Sequence, residues 1–261
     1  MQTTDLNTSP NFVAVTSGGP HAWIMLNALR QHFGGFPVIL EAGESSSVFW
    51  KRRLKLLGRL KVASMMAARV PLKLTKRGTD SLINEMIETH DLQPQPNEKQ
   101  AILEVPSVNS DLCRDYLKDL APKAVFVVST RMIGKKTLSA IGAPFLNYHS
   151  GINPAYRGMF GGYFALANGE PEYFGATMHL VDQGVDTGDI LYQSQVTVDP
   201  RDNFHTYLWR IAAGSRDIAV QAMGDALNSR LRPYRVDLPS HQYFAPTLGG
   251  YLKTGLLRGV W

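Results

Sequence analysis

The sequence contains a single cysteine, Cys113, so the chain has no partner with which to form an internal disulfide. Secreted domains commonly depend on disulfides, and we therefore expect a reduced, cytoplasmic setting. Cys113 falls in a stretch with a helical pattern over 111–120, where we expect it to pack as a small apolar residue. Neither a CxxC nor an HExxH pattern occurs, which removes the common zinc signatures, and we expect no metal site.

Long hydrophobic runs and targeting signals are also missing. No stretch approaches the ~18 uncharged apolar residues that a membrane span needs. The first residues, MQTTDLNTSPN, lack the basic start and apolar run of a signal peptide, so 1–10 are predicted to be a disordered tail. With 261 residues, 44% of them hydrophobic and 19% charged, the chain can bury a core. We expect one domain over 11–230 and a C-terminal extension over 231–261.

Acidic residues are absent from 51–77, which holds ten basic residues. The whole chain has 27 Lys and Arg against 22 Asp and Glu, for a net charge of +5. Outside this segment, the remaining 17 basic residues against 22 acidic ones leave a net charge of −5. The basic character therefore belongs to one segment, which we interpret as a helical insert over 47–80 lying outside the active site.

Predicted strands and helices alternate along most of the chain. A strand, a Ser-Gly-Gly-Pro turn, a helix and a second strand open the sequence as a βαβ unit, which indicates an α/β fold with a mostly parallel sheet. An exposed loop is predicted over 91–100, and a long amphipathic helix over 203–227 with Asp202 as its cap. Strands are predicted at 12–16, 37–41, 101–105, 124–128, 144–147, 175–181 and 190–198, and shorter helices at 111–120 and 135–141.

Two polar stretches follow predicted strands and carry the candidate chemistry. Asn147 and His149 are two residues apart at a strand end, which places both side chains on one side of the backbone. An amide can stabilise a developing oxyanion and an imidazole can manage a proton, which is the minimum equipment for acyl transfer. Asp186, if folded close, would orient the imidazole. Three alternatives remain: His149 can be a structural histidine, the second stretch can be an acidic turn, or Asp182, Asp186 and Asp189 can bind a metal. The spacing of these aspartates is not that of an EF-hand loop.

Together, NYHSGINPAYRG (147–158) and VDQGVDTGD (181–189) resemble the 10-formyltetrahydrofolate-dependent formyltransferase family. That family includes glycinamide ribonucleotide transformylases, methionyl-tRNA formyltransferases and sugar N-formyltransferases. Its pattern is an Asn-x-His ending a core strand, a Pro-containing loop closing in Gly, and an Asp in a D-x-G type loop. The resemblance covers about 124–198 and implies a Rossmann-like, mostly parallel twisted sheet with helices on both faces.

The resemblance also assigns roles to residues of this chain. Asn147, His149 and Asp186 match the family's catalytic triad. Residues implied to hold the 10-formyltetrahydrofolate co-substrate are Ser129, Thr130, Arg131, Met132, Ile133, Val181, Asp182, Gly184 and Val185. Candidate acceptor contacts, for which packing roles are the simpler interpretation, are His21, Tyr156, Arg157, Met159 and Phe160.

The implied mechanism is direct transfer of the formyl group. A neutral amine of the acceptor attacks the formyl carbon, and Asn147 with protonated His149 stabilises the oxyanion of the tetrahedral intermediate. Asp186 holds the histidine and helps to relay the amine's proton through water. Tetrahydrofolate then leaves.

Two differences between this sequence and named members of the family limit the choice of acceptor. Glycinamide ribonucleotide transformylases carry a Gly-x-Gly-Ser-Asn loop whose amides hold the substrate phosphate, whereas this chain has Pro20, which lacks an N–H. Methionyl-tRNA formyltransferases carry a sizeable RNA-binding domain, for which 231–261 is too short, so no nucleic-acid partner is expected. A nucleotide-linked amino sugar is the preferred acceptor. Glycinamide ribonucleotide, formyltetrahydrofolate hydrolysis and a non-catalytic folate-binding module remain the alternatives.

Three roles stay open for the basic segment. It can be a solvated helix face, or it can attract an anionic acceptor or a polyglutamylated folate. It can also make a weak membrane-surface contact through 48–77, since Trp50, Leu54 and Leu57 share a face at helical spacing. The oligomeric state is open, and a homodimer is compatible with the sequence.

Overall fold

The structure is a computed structural model that describes residues 11–76 and 78–261. The predicted tail over 1–10 lies outside the described residues. Strands are β1 Phe12–Thr16, β2 Val38–Glu41, β3 Ile102–Val105, β4 Ala124–Val128, β5 Phe145–His149, β6 Arg157–Gly158, β7 Gly175–Leu180, β8 Ile190–Gln195 and β9 Gln242–Tyr243. Helices are α1 Pro20–Phe33, α2 Ser46–Leu57, α3 Arg59–Leu74, α4 Thr79–His90, α5 Asp111–Leu120, α6 Lys135–Leu138, α7 Gly161–Asn168, α8 Tyr207–Gly214, α9 Arg216–Leu227 and α10 Leu248–Arg258, with a 3₁₀ turn at Pro171–Tyr173.

Seven strands form one sheet in the order β3-β2-β1-β4-β5-β7-β8. The first five are parallel, and β7 and β8 add to the edge of β5 as antiparallel strands. The strand order reverses at β1, which pairs with β2 on one side and with β4 on the other. A crevice outside the carboxyl ends of the strands is expected at such a switch point, and the candidate site lies there.

Alternating side chains of the central strands supply two cores, one on each face of the sheet. Along β4, Phe126 belongs to the larger core, which is built against α1, α8 and α9. Its neighbour Val127 belongs to the smaller core against α5, which includes Cys113 and Leu117. The α/β fold with helices on both faces is therefore confirmed. Cys113 is buried in α5, as expected, and burial raises the pKa of its thiol to about 11.

The predicted long helix over 203–227 is wrong. Two helices meet there at Ser215, whose buried hydroxyl lies 2.7 Å from the Tyr148 hydroxyl and donates to the Ile211 carbonyl at 2.5 Å. These contacts hold the chain at a bend instead of a continuous helix. Asp202 is not the helix cap that was expected, because its carboxylate accepts from the Thr206 hydroxyl and from the Arg210 side chain.

Other boundaries differ in smaller ways. Strand β5 continues to His149 instead of ending at Asn147, and the helix predicted over 135–141 ends at Leu138. The loop over 91–100 is less exposed than predicted: Leu92 is buried, and the Asn27 side chain donates to two of the loop's carbonyls at 2.8 and 2.7 Å. Within the described residues, none of the helices is both long and apolar enough to cross a membrane.

The basic segment forms α2 and α3, which are separated at Gly58, where φ is +79°. Trp50, Leu54 and Leu57 therefore lie on α2, and Leu60 lies on the next helix. The C-terminal extension contacts the chain at two places. Its strand β9 pairs with β6, and its helix α10 packs on α3, where the Leu248 N–H donates to the Ser64 hydroxyl at 3.1 Å.

Candidate active site

Strand β5 presents the two side chains singled out by the sequence, and β7 adds a third. Asn147 and His149 lie at its carboxyl end. In the antiparallel pair with β7, Asn147 lies directly opposite His179. The Asn147 Nδ2 is 3.0 Å from the His179 Nε2, so this second histidine belongs to the same cluster.

Asp186 completes the cluster from the loop between β7 and β8. Its Oδ2 is 3.5 Å from the His149 Nδ1, and its Oδ1 accepts from the Asn147 amide at 3.3 Å. The Oδ1 is also 3.4 Å from the His179 Nε2, and the backbone N–H of Gly158 donates to Oδ2 at 2.9 Å. The structure thus brings Asp186 to the two strand residues that the sequence named with it, although it lies well after them along the chain.

Asp186 is held as a carboxylate. Burial raises its pKa, but the neighbouring His149 and His179 and the hydrogen bond from Gly158 outweigh burial and bring the pKa below its usual range. The side chain is only 15% exposed, so water screens these interactions little. A negative charge is therefore fixed beside the imidazole of His149.

His149 uses one ring nitrogen for structure and leaves the other for chemistry. Its Nε2 donates to the Tyr156 carbonyl at 2.8 Å, and the imidazole is buried. The nitrogen that faces Asp186 is Nδ1, and the 3.5 Å separation leaves room for a substrate oxygen to share its hydrogen. An oxygen acceptor therefore faces each ring nitrogen, the Tyr156 carbonyl at Nε2 and the Asp186 carboxylate at Nδ1.

Gly151 makes this arrangement sterically possible. A Cβ at this position would lie 2.4 Å from the Tyr156 carbonyl oxygen and 2.5 Å from the His149 Nε2, the two ends of the same hydrogen bond. Any larger residue would have to push the imidazole or the loop away. The Gly that follows His149 by two residues is therefore required by the close approach of the loop.

The side chain of Arg157 ties the loop before Asp186 to the C-terminal extension. It donates from Nη1 to the Val185 carbonyl at 2.7 Å and from Nε to the Ser240 hydroxyl at 2.9 Å. Tyr156 is buried, stacks on Tyr243 and donates its hydroxyl to a carboxylate, that of Glu170. Neither Tyr156 nor Arg157 lines the pocket, so the acceptor contacts considered for them are replaced by packing and bracing roles.

Asn147, His149, His179 and Asp186 line a cavity of about 640 Å³. Cavities of 300–1,000 Å³ are the ordinary size for small-molecule sites. All nine residues implied to hold the folate line it, as do three of the candidate acceptor residues, namely His21, Met159 and Phe160.

The loop over 129–133 is tied down at several points. The Ser129 carbonyl accepts from the Ser17 N–H at 2.9 Å, and the Arg131 N–H donates to the Glu41 Oε1 at 2.6 Å. Glu41, buried at the end of β2, has its other oxygen 3.6 Å from the Arg131 side chain. Because its backbone is fixed from β1 and β2, this loop is a rigid wall, which the sequence could place only by its position after a strand.

His21 joins this wall instead of standing apart from it. Its Nε2 lies 2.7 Å from the Ser129 hydroxyl. Burial lowers the pKa of His21, so a neutral imidazole is favoured there. The residue considered as an acceptor contact therefore also supports the predicted folate loop.

Two walls of the cavity were not found by sequence reasoning. Helix α2 contributes Phe49, Arg52, Arg53 and Leu56, and the C-terminal extension contributes its segment 242–244. The expectation that the basic segment lies outside the candidate site is therefore wrong, because side chains of α2 line the same cavity as Asn147, His149 and Asp186. The run of ten basic residues without an acidic one was the available signal.

Across residues 11–76 and 78–261 there is no cluster of three or more His, Cys, Asp or Glu suited to a metal ion.

Comparison with known proteins identifies the family to which the chain belongs. Residues 63–223 match the family model described as formyl transferase, a stretch that includes the Asn147, His149 and Asp186 cluster and the loop over 129–133. The chain belongs to the formyl transferase family. This confirms the family indicated by the two sequence motifs, and helix α2 and the residues after 223 lie outside the matched stretch.

Individual relatives agree with the family and the fold. The methionyl-tRNA formyltransferase of Halothermothrix orenii is 31% identical over 143 residues, 52% of this chain and 45% of that protein. The chain thus matches less than half the length of this curated relative. A sugar N-formyltransferase structure from a Shewanella species covers 90% of this chain and 77% of that one with a TM-score of 0.58 and 15% identity. A phosphoribosylglycinamide formyltransferase structure from Anaplasma phagocytophilum has a TM-score of 0.55 at 16% identity, over 84% of this chain and 88% of that one.

Proposed function

We propose that the protein transfers a formyl group from 10-formyltetrahydrofolate to a primary amine of a small-molecule acceptor. The observation that carries the proposal is that Asn147, His149 and Asp186 line one cavity together. The Asp186 carboxylate lies 3.3 Å from the Asn147 Nδ2 and 3.5 Å from the His149 Nδ1. Family membership and the rigid loop over 129–133 support it.

The folate fits the cavity by size and by the chemistry of its walls. A volume of about 640 Å³ accommodates a folate head group together with an acceptor amine. One wall is the fixed loop over 129–133, and the facing wall is the loop over 181–185, which Arg157 holds through the Val185 carbonyl. Folate supplies the formyl group on a nitrogen that can leave.

The chain's own groups act on the formyl oxygen and on a proton. The Asn147 amide and the His149 Nδ1 are placed to donate to that oxygen as negative charge develops. The acceptor nitrogen bonds to the formyl carbon, and the bond from that carbon to the folate nitrogen breaks. One proton leaves the amine and one reaches the folate nitrogen, and Asp186 assists this exchange through water while it stabilises the imidazolium.

His179 positions the other groups of the cluster. Its Nδ1 donates to the Leu180 carbonyl at 2.8 Å, which leaves Nε2 toward Asn147 and Asp186. With a hydrogen, Nε2 can donate to the carboxylate, and without one it can accept from the amide. In each case it therefore holds one of the two side chains by a hydrogen bond.

Our preferred acceptor is a nucleotide-linked amino sugar. Helix α1 begins at Pro20, which has no N–H for a phosphate at this turn, and this disfavours glycinamide ribonucleotide. Aromatic side chains from α2 and the C-terminal segment, Phe49, Tyr243 and Phe244, line the cavity and give a sugar or a base apolar surface to pack on. A cytoplasmic location, the domain limits and a homodimer stay predictions.

A screen of acceptors tests this function. The protein is incubated with 10-formyltetrahydrofolate and, in separate reactions, with amino-sugar nucleotides, glycinamide ribonucleotide or methionyl-tRNA, and the acceptor is examined by mass spectrometry. We expect a formyl gain on an amino-sugar nucleotide. Tetrahydrofolate release without any amine would instead indicate a hydrolase, and folate binding without release would indicate a binding module.

The predicted membrane-surface contact is better placed on α3 and α10 than on the Trp50 face of α2. Large apolar side chains of these two helices are exposed to solvent. On α3, Leu60, Val70 and Leu74 are 66 to 90% exposed, and on α10, Leu256 and Leu257 are 73 to 75% exposed. Basic residues flank them on α3, and α3 has no acidic residue. We propose that this face contacts an anionic bilayer, since apolar burial and charge attraction would then act together.

A further inference from the structure

The cationic side chains around the cavity differ in how their charge is balanced. Arg52 forms an ion pair with Glu44 at 3.0 Å, and the Arg131 Nε lies 3.6 Å from Glu41. No carboxylate among the described residues lies within ion-pair distance of Arg53, which also lines the cavity. Arg53 is therefore a charge in the site whose counterion the described part of the chain does not supply.

Weak acceptors surround the guanidinium of Arg53. Its Cζ lies 5.0 Å from the centre of the Phe49 ring and 4.7 Å from that of Phe244, so two aromatic faces hold the cation. Its Nη2 contacts the thioether of Met159 at 3.1 Å, and its Nε is buried with no hydrogen-bond partner. A buried donor of this kind is costly unless a ligand satisfies it.

Electrostatics points the same way. Burial lowers the pKa of Arg53, and the neighbouring Arg52 lowers it further, against a smaller opposing effect of Glu44. An anion placed against the guanidinium would relieve both effects. Arginine is also the side chain whose forked donors best match two oxygens of a phosphate group.

Position decides between the two substrates. Met159 follows Gly158, whose N–H binds Asp186, and Phe244 follows β9, which pairs with β6. These segments and α2 are separate from the loops over 129–133 and 181–185 proposed to hold the folate. The guanidinium therefore lies against walls of the cavity other than the two loops proposed to hold the folate, which leaves it for the acceptor.

We propose that Arg53, held between Phe49 and Phe244, binds a phosphate or diphosphate group of the acceptor. This deepens the proposed function and rests on it for the word acceptor, while the binding of phosphate itself does not require formyl transfer. It gives the basic segment a specific part in the site, from a helix outside the stretch that matches the family.

Calorimetric titration with pyrophosphate tests the proposal. Arg53→Met keeps the length and the apolar stem but removes the fork, and we expect it to weaken pyrophosphate binding about 10- to 100-fold. Arg59→Met, which removes the same charge from an exposed position outside the cavity, should change it by less than about twofold. Arg53→Lys keeps the charge without the fork and should fall between wild type and Arg53→Met.

A second titration separates the acceptor from the folate. Binding of 5-formyltetrahydrofolate, as monoglutamate and as polyglutamate, should be the same for wild type and Arg53→Met. The proposal is overturned if wild type does not bind pyrophosphate, if Arg59→Met weakens binding as much as Arg53→Met, or if the loss appears only with the polyglutamate. Formyl transfer with unaltered pyrophosphate binding in Arg53→Met would refute the phosphate site alone, whereas Arg53-dependent binding without formyl transfer would refute only the proposed function.

Discussion

Replacing Asp186 by Asn removes one charge from the cluster and keeps its shape. The Asn oxygen can still accept from the Gly158 N–H, which is 2.9 Å away in the wild type. What is lost is the attraction to a protonated His149, whose Nδ1 is 3.5 Å from the carboxylate. At an effective dielectric constant of about 20, two unit charges at this distance attract by about 5 kcal/mol. If ~3–4 kcal/mol of this acts in the transition state, kcat falls by about 10²- to 10³-fold.

Steady-state kinetics with the acceptor identified by the screen measures this loss. We expect kcat to fall while KM for the folate changes little, because the loop over 129–133 is held independently through Glu41. Asp189→Asn is the matched control: it is the same chemical change in the same loop, at a side chain that pairs with Arg235 instead of a histidine.

Two outcomes would refute the reasoning. A kcat for Asp186→Asn within about threefold of wild type would show that the carboxylate does not support the reaction. An equal loss in Asp189→Asn would show that the loop, and not the charge beside His149, is responsible. Linkage supplies a further check on stability. Because the pKa of Asp186 is lowered, its ionised form stabilises the fold above about pH 4, and this contribution is lost as the pH falls further.

Three other changes test separate parts of the account. Gly151→Ala should destabilise the protein by about 1–3 kcal/mol and lower turnover, because its methyl group would overlap both ends of the hydrogen bond that holds the His149 imidazole. Gly249→Ala is the control and should have neither effect, because the space around Gly249 is open. Equal melting temperatures for the two variants would contradict this prediction. Since burial lowers the pKa of His21, stability should fall as the pH drops below about 6.5, where the unfolded chain gains a proton that the native imidazole resists, and His21→Gln should show a smaller fall in chemical denaturation. Wild type should sediment with anionic liposomes at low salt and be released at high salt, and replacing Leu60 and Leu74 by Asp should abolish binding; no binding by wild type at low salt would remove the membrane proposal.

The fold class and the shared face of Asn147 and His149 could be predicted from the sequence for physical reasons. Strand β4 alternates between two cores and is apolar throughout, so its limits were predicted without error. Asn147 and His149 share a face because strand periodicity requires it. Their approach to Asp186 followed from the family's motif, since no local pattern brings a loop after β7 to the end of β5.

The missed features depend on tertiary contacts. His179 enters the cluster because β7 pairs antiparallel with β5, and β7 alone gives no sign of its partner. The break at Ser215 depends on a hydroxyl contact with Tyr148 from a distant strand. Helix α2 showed its helical spacing and its charge, but neither indicated which of its basic residues would line the cavity.

The most direct test of the account follows the formyl group itself. Donor folate labelled with ¹³C at the formyl carbon is incubated with the protein and an amino-sugar nucleotide, and the label is followed by NMR over one turnover. We predict that the label appears on the acceptor nitrogen as an N-formyl group, and that it does so about 10²- to 10³-fold more slowly in Asp186→Asn. Label found as free formate, or left on the folate, would contradict the claim that Asn147, His149 and Asp186 transfer a formyl group to an amine.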